Sequence, residues 1–126
     1  MAEAIWRRVY PEDEVASAGL TALRGEPMNP AAAAALLEIG VDPGAHASRP
    51  LTSDLLAWAD LVLTMERSQA EAIRRRFRVP AGTRVLSLGE AAGEPGTEVA
   101  DPLGGGPERY RATAARLREL IERAGR

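Results

Sequence analysis

The side chains in this sequence that could do chemistry are carboxylates, arginines and one imidazole. The 126 residues contain no cysteine and a single histidine, His46. That content excludes disulfides, thiolate zinc sites and a cysteine nucleophile within these residues. One carboxylate, Asp101, stands before Pro102 in a glycine-rich stretch, and Asp-Pro among glycines is typical of a turn.

The charge balance narrows the classes of partner. Sixteen basic residues, all arginine, stand against 18 acidic residues, which gives a formal net charge of −2. This excludes a strongly basic nucleic-acid scaffold, and we expect no nucleic-acid partner. Arginine binds oxyanions in a bidentate manner, so phosphate chemistry stays open. We interpret Arg74–Arg76 as a solvated face that complements a helix C-terminus, and the lone His46 as structural.

Length and composition fit one domain over residues 1–126, because domains cluster at roughly 100–150 residues. Apolar residues make up 45% of the chain and charged residues 27%, which is typical of soluble globular proteins. No apolar run of about 20 residues exists, so we expect no membrane span. Met1 leads directly into a charged amphipathic stretch without a signal peptide, and we therefore expect a cytoplasmic protein.

Helical and strand patterns alternate along the chain and predict an α/β fold, a three-layer sandwich with a short parallel sheet. Strands are predicted over 14–20, 60–65 and 83–88, the second one buried on both faces. Helices are predicted over 2–9, 30–39, 52–58, 68–77 and 107–124. The second is predicted to start at Asn29-Pro30, and the last rests on the helical spacing of Tyr110, Ala114, Leu117, Ile121 and Ala124. The fourth helix is predicted to begin with a capping box of Ser68 and Glu71, and residues 89–106 are predicted to form a long loop. The first helix lacks a capping residue.

Several short pieces carry a resemblance to a known family by their order and spacing. They are Met1–Ile5, Val15–Leu20, Gly25–Pro27, His46–Leu51, Asp60–Met65 and Asp101–Gly105, followed by Tyr110. Together they resemble the low-molecular-weight protein tyrosine phosphatases of bacterial type, over nearly the whole chain. The Asp-Pro-Leu-Gly-Gly segment is similar to bacterial members, some of which act on phosphoarginine instead of phosphotyrosine.

One departure from the family pattern concerns the nucleophile. In the family, a catalytic loop of the form C-x5-R-S follows a central first strand and runs into the helix that begins here at Met1. The resemblance therefore implies a truncated, inactive form that lacks this strand, the cysteine and the phosphate-binding arginine. We expect such a chain to be marginally stable or rearranged, or to be completed by a second copy that fills the strand gap. If the missing loop is encoded upstream of Met1, the chain is an enzyme fragment. The alternatives are a non-catalytic binding or regulatory module and an unrelated flavodoxin-like ligand-binding domain.

The resemblance also implies residue roles. Asp101 takes the part of the general acid, and Leu103 and Leu23 form opposite walls of the substrate pocket, although Leu103 could instead tuck the loop onto the core. Ser17 supports the catalytic loop, and its alternative is a satisfied hydroxyl at a strand end. Tyr110 is interpreted as a packing residue of the last helix. The family reaction forms a phosphocysteine from a phosphorylated protein substrate and needs no cofactor or metal.

Overall fold

The computed structural model describes residues 1–20, 25 and 28–125. Within these residues, six helices and two strands follow one another along the chain. They are α1 (Ala2–Val9), α2 (Pro30–Glu38), α3 (Ser53–Trp58), β1 (Leu61–Thr64), α4 (Arg67–Arg76), β2 (Arg84–Ser87), α5 (Leu88–Ala91) and α6 (Pro107–Ala124). The arrangement is the α/β class that the alternating pattern predicted.

The two strands form a parallel pair, with Leu61 opposite Arg84 and Thr64 opposite Ser87. The amide of Arg84 donates to the carbonyl of Asp60 at 3.0 Å, at the start of this ladder. Helix α4 connects the strands, as a parallel crossover requires. The sheet, its register and its connection thus agree with the predicted short parallel sheet.

Helices cover both faces of this sheet. On one face, Leu63 packs against a core built largely from α1, α2 and α6, which includes Ile5, Leu36 and Leu120. On the other face, Val62 and Val85 pack with residues of α3 and α4. Because successive residues of a strand point to opposite faces, Val62 and Leu63 divide between the two layers of helices. The three-layer architecture follows from this alternation.

Strand β1 has one edge without a ladder partner in the described part of the chain. The amide of Arg84 donates to β1, at the carbonyl of Asp60. Because the backbone groups of successive strand residues point to opposite sides, those of Val62 point toward β2, and those of Leu61 and Leu63 point away from β2. The side chains of residues 61–63 are only half-buried. Val62 and Leu63 pack against helices on opposite faces, as predicted for a strand covered on both faces, although residues 61–63 are half-buried and not fully buried.

Three predictions about the elements need correction. Residues 14–18 form no strand, and Gly19 makes only an isolated parallel bridge with Pro50. The capping box of α4 pairs Glu66 with Gln69, so the helix begins before Ser68. The stretch after β2 is not all loop, because Ser87 caps the short helix α5. The missing strand lacks a partner, whereas the two capping boxes join residues only three positions apart, so the local spacing of Ser87 and Glu90 was a usable signal for α5.

Gly89 in α5 allows the following turn to pack directly on the helix. A Cβ at this position would lie 2.1 Å from the carbonyl oxygen of Thr97 and 2.8 Å from that of Glu94. We expect Gly89→Ala to lower the free energy of unfolding by about 2 to 3 kcal/mol, because backbone atoms cannot yield as a flexible side chain would. Guanidinium titration followed by circular dichroism measures this. Gly96→Ala, in open space, is the matched control, and an equal loss in both variants would contradict the assignment.

Candidate functional site

Asp101 lies on a loop that is anchored to the core on either side of it. Before it, Val99 is buried and its amide donates to the carbonyl of Met65 at 3.1 Å, just after β1. After it, Pro102 is buried, and its carbonyl accepts from the amide of Gly105 at 2.8 Å. Asp101 itself is exposed. The loop therefore holds its backbone in place while presenting the carboxyl to solvent.

The Asp101 carboxylate closes a local turn. Its Oδ1 accepts from the amide of Leu103 at 2.9 Å. This bond fixes the side-chain direction and leaves the second carboxyl oxygen, Oδ2, for an external partner. Asp101 can therefore close a turn and still serve as a proton donor, so the turn and the general-acid hypotheses are compatible.

Leu103 points away from the core. Its side chain is 71% exposed, the largest value among the exposed large apolar residues of the described chain. Gly104, with φ of +84°, turns the backbone immediately after it. The alternative in which Leu103 tucks the loop onto the core was wrong. Leu23, the other predicted pocket wall, lies outside the described residues.

Ser17 and Glu3 form a hydrogen-bonded pair between the segment after α1 and the first turn of α1. The Ser17 hydroxyl donates to Glu3 Oε1 at 2.8 Å, and Arg7 donates to Glu3 Oε2 at 3.2 Å. The guanidinium of Arg49 donates to the Ser17 carbonyl at 3.1 Å. The hydroxyl of Ser17 is thus satisfied, in agreement with its structural interpretation.

A cavity of about 370 Å³ opens beside this pair. It is lined by Glu3, Ser17, Gly25, Ala45, His46, Ala47, Ser48 and Arg49. The cavity adjoins the first turn of α1 through Glu3, and no side chain caps that turn. Uncapped amides at a helix N-terminus favour an anionic group.

The Glu3 carboxyl has a lowered pKa. Burial opposes its ionisation, but the hydrogen bonds from Ser17 and Arg7, with the charges of Arg7 and His46, outweigh that effect. A carboxyl with a lowered folded-state pKa contributes stability that is fully present above the unfolded-state pKa of about 4.3. This stability is lost as the pH falls through the lower folded-state value.

We therefore expect Ser17→Ala to cost about 1 kcal/mol of unfolding free energy at neutral pH, and less in acid, where Glu3 is protonated. Urea titrations at neutral pH and at about pH 3 measure the two values. Ser68→Ala removes an exposed hydroxyl that has no hydrogen bond in the described structure, and serves as the control. A cost for Ser17→Ala that is the same at both pH values would contradict the pairing with Glu3.

The structure does not bring all of the predicted site residues together. Ser17, His46 and Arg49 line one cavity, whereas Asp101 and Leu103 share a separate loop, with no hydrogen bond or ion pair between the two groups in the described residues. Sequence reasoning missed Glu3 as the partner of Ser17. A usable signal was its position as the only acidic residue in α1.

No group of three or more His, Cys, Asp or Glu side chains in the described residues is arranged to hold a metal ion. None of the helices described combines the length and the apolar character needed to cross a bilayer.

The sequence matches the family described as low molecular weight phosphotyrosine protein phosphatase over residues 1–124. It is 34% identical over 122 residues to the "Probable low molecular weight protein-tyrosine-phosphatase EpsP" of Ralstonia nicotianae, a match that covers 97% of this chain and 77% of that protein. It is 33% identical over 125 residues to the protein-arginine-phosphatase of Bacillus subtilis, covering 96% of this chain and 82% of that protein.

The fold is similar to that of a solved YwlE arginine phosphatase. The TM-score is 0.88 at 31% identity, with 97% of this chain and 82% of that chain covered. That structure is a cysteine-to-serine mutant with a phosphorylated active-site serine.

Proposed function

This chain belongs to the low molecular weight phosphotyrosine protein phosphatase family, and we propose that it supplies the general-acid part of a phosphoprotein phosphatase site. The family and its bacterial relatives point to phosphotyrosine or phosphoarginine as substrate. The observation that supports the acid assignment is the exposed Asp101 carboxyl on a loop that is anchored at Val99 and Pro102. A loop anchored in this way positions the proton donor before the substrate binds, so that no conformational entropy is spent on ordering the donor at each turnover.

In this proposal Asp101 acts on the leaving group. As the bond between phosphorus and the leaving oxygen or nitrogen breaks, the protonated carboxyl gives its proton to that atom, which leaves neutral. The resulting carboxylate then takes a proton from the water that attacks the phosphoenzyme. Leu103, exposed beside it, forms an apolar wall against the substrate side chain. Leu offers less ring stacking than an aromatic residue, so this wall does not require a phosphotyrosine ring.

The attacking group is not among these residues. The chain has no cysteine, and the phosphorylated serine of the related structure replaces a cysteine. A loop that bears a thiolate would fit beside the cavity at the first turn of α1, where uncapped amides stabilise negative charge. We therefore propose that the 126 residues alone do not turn over substrate and that activity needs a cysteine-bearing loop from outside them.

A second candidate function is a non-catalytic binding or regulatory module. The observation that favours it is the absence of cysteine together with an otherwise family-like chain. The two candidates make different predictions for a chimera in which the N-terminal strand and catalytic loop of the Bacillus subtilis relative are joined to Met1. The phosphatase proposal expects this chimera to release phosphate from phosphotyrosine or phosphoarginine peptides. A folded chimera that binds such peptides without releasing phosphate would support the binding module.

A further inference from the structure

The side chain of Arg109 lies across the loop that carries Asp101. Arg109 stands in the first turn of α6, and its aliphatic stem folds back onto Gly105. A Cβ at Gly105 would lie 2.4 Å from Cδ, 2.9 Å from Cβ and 3.0 Å from Nε of Arg109. Glycine at this position therefore leaves the space that the stem occupies, and the first nitrogen of the guanidinium group lies against the loop backbone.

A turn in this loop brings Gly105 close to Asp101. The amide of Gly105 donates to the carbonyl of Pro102 at 2.8 Å, so Gly105 lies beside the residue that follows Asp101. Leu103, between the two bonded residues, is strongly exposed. The turn thus carries a carboxyl and an exposed apolar side chain, and the stem of Arg109 rests on its last residue.

The guanidinium group of Arg109 is exposed and has no carboxylate partner in the described residues. The other arginines of α6 differ from it, because each forms an ion pair with a glutamate. They are Arg111, Arg116, Arg118 and Arg123. Within this helix, the arginine that lies against the loop of Asp101 is therefore the one whose charge is left for an external partner.

Helix stability gives no reason for an arginine at position 109. A cation in the first turn of a helix is opposed by the helix dipole. Glu108, the preceding residue, is exposed and makes no ion pair in the described structure, and neighbours in sequence on a helix do not face each other. Asp101 does not pair with Arg109 either, since its Oδ1 accepts from the amide of Leu103. The position of Arg109 is therefore better explained by a group that binds at this loop.

We propose that Arg109 selects substrates in which an acidic side chain lies next to the phosphorylated residue. The inference rests on the phosphatase function proposed above and names the kind of phosphoprotein segment that this site prefers. When the leaving atom is within reach of Asp101, the flanking residues of the substrate lie along the turn, where the guanidinium group forms a bidentate pair with a carboxylate. This pair forms on binding and does not change during the reaction, so Arg109 is a specificity residue and not a catalytic one.

The test uses the chimera described above and three phosphopeptides that are identical except for glutamate, glutamine or lysine on both sides of the phosphorylated residue. Each peptide is prepared with phosphotyrosine and with phosphoarginine, and phosphate release at low ionic strength gives kcat and KM. We expect kcat/KM for the glutamate peptide to exceed that for the glutamine peptide about three- to fivefold, mainly through KM, and less as salt is added. Arg109→Gln should bring this ratio close to one, and Arg109→Glu should make the lysine peptide the better substrate.

Arg75→Gln and Arg75→Glu are the matched controls, because Arg75 is also exposed and lies in the last turn of α4, at the amino edge of the sheet. The loop of Asp101 is tied to the opposite edge through the bond from the Val99 amide to the Met65 carbonyl. A preference that is lost only in the Arg109 variants supports the inference. Equal kcat/KM for the three peptides, or equal changes in both sets of variants, would overturn it and leave the phosphatase proposal standing. No phosphate release from any peptide by the parent chimera would contradict the phosphatase proposal and this inference with it.

Discussion

Replacing Asp101 by asparagine in the chimera should lower kcat/KM about 10² to 10⁴-fold on a substrate with a poor leaving group, because asparagine cannot donate the proton that this group needs when the phosphoenzyme forms. The loss should be large for phenyl phosphate and small for para-nitrophenyl phosphate, whose leaving phenolate is stable without protonation. Stopped assays of phosphate release with both substrates measure the two losses.

Asp42→Asn is the matched control for that substitution. Asp42 is also exposed, and its Oδ1 accepts from the amide two residues on, Gly44, at 2.9 Å, as Asp101 does with Leu103. Both variants keep an amide oxygen for this bond, so the turn survives in each. A similar loss in the two variants, or an equal loss on both substrates for the Asp101 variant, would contradict the general-acid role.

The second large effect concerns stability. The 126-residue chain should melt below about 60 °C, with a broad or protein-concentration-dependent transition, because the open edge of β1 leaves backbone groups of Leu61 and Leu63 without ladder partners. Unpaired backbone groups cost on the order of 1–3 kcal/mol each where water cannot reach them. In the chimera, a strand paired along β1 should raise Tm by roughly 15 °C. Differential scanning calorimetry measures both transitions.

A chimera that carries the same added segment in scrambled order is the control for the melting experiment. It should melt near the temperature of the unextended chain, because its added residues no longer match the pattern of a buried strand. Size-exclusion chromatography adds a separate observation, since a second copy pairing along β1 would shift the chain to a dimer. A sharp melt of a monomeric 126-residue chain above about 60 °C would contradict the account of the open edge.

The sequence predicted those elements whose signals are local. The Asn29-Pro30 start located α2, and the apolar spacing of Tyr110, Ala114 and Leu117 located α6. Tyr110 is buried against Ala32 and Ala35 of α2, as its packing interpretation predicted. The strand prediction that failed concerned an element that depends on a partner distant in sequence. A strand needs a neighbour, and residues 14–18 have none in the described chain, although their pattern is strand-like.

The candidate site also has a part that local sequence predicts and a part that depends on distant residues. The loop of Asp101 was predictable because proline restricts the backbone locally and glycine permits the turn that follows, and the resemblance added a role for the carboxyl. The partnership of Ser17 with Glu3 was not predictable, because it joins two segments across the cavity.

Turnover of para-nitrophenyl phosphate by the purified 126-residue chain, measured beside the chimera, tests the central claim most directly. The account predicts no hydrolysis above the buffer rate for the chain alone and clear hydrolysis for the chimera. Hydrolysis by the chain alone would contradict it, since these residues would then hold a nucleophile of their own.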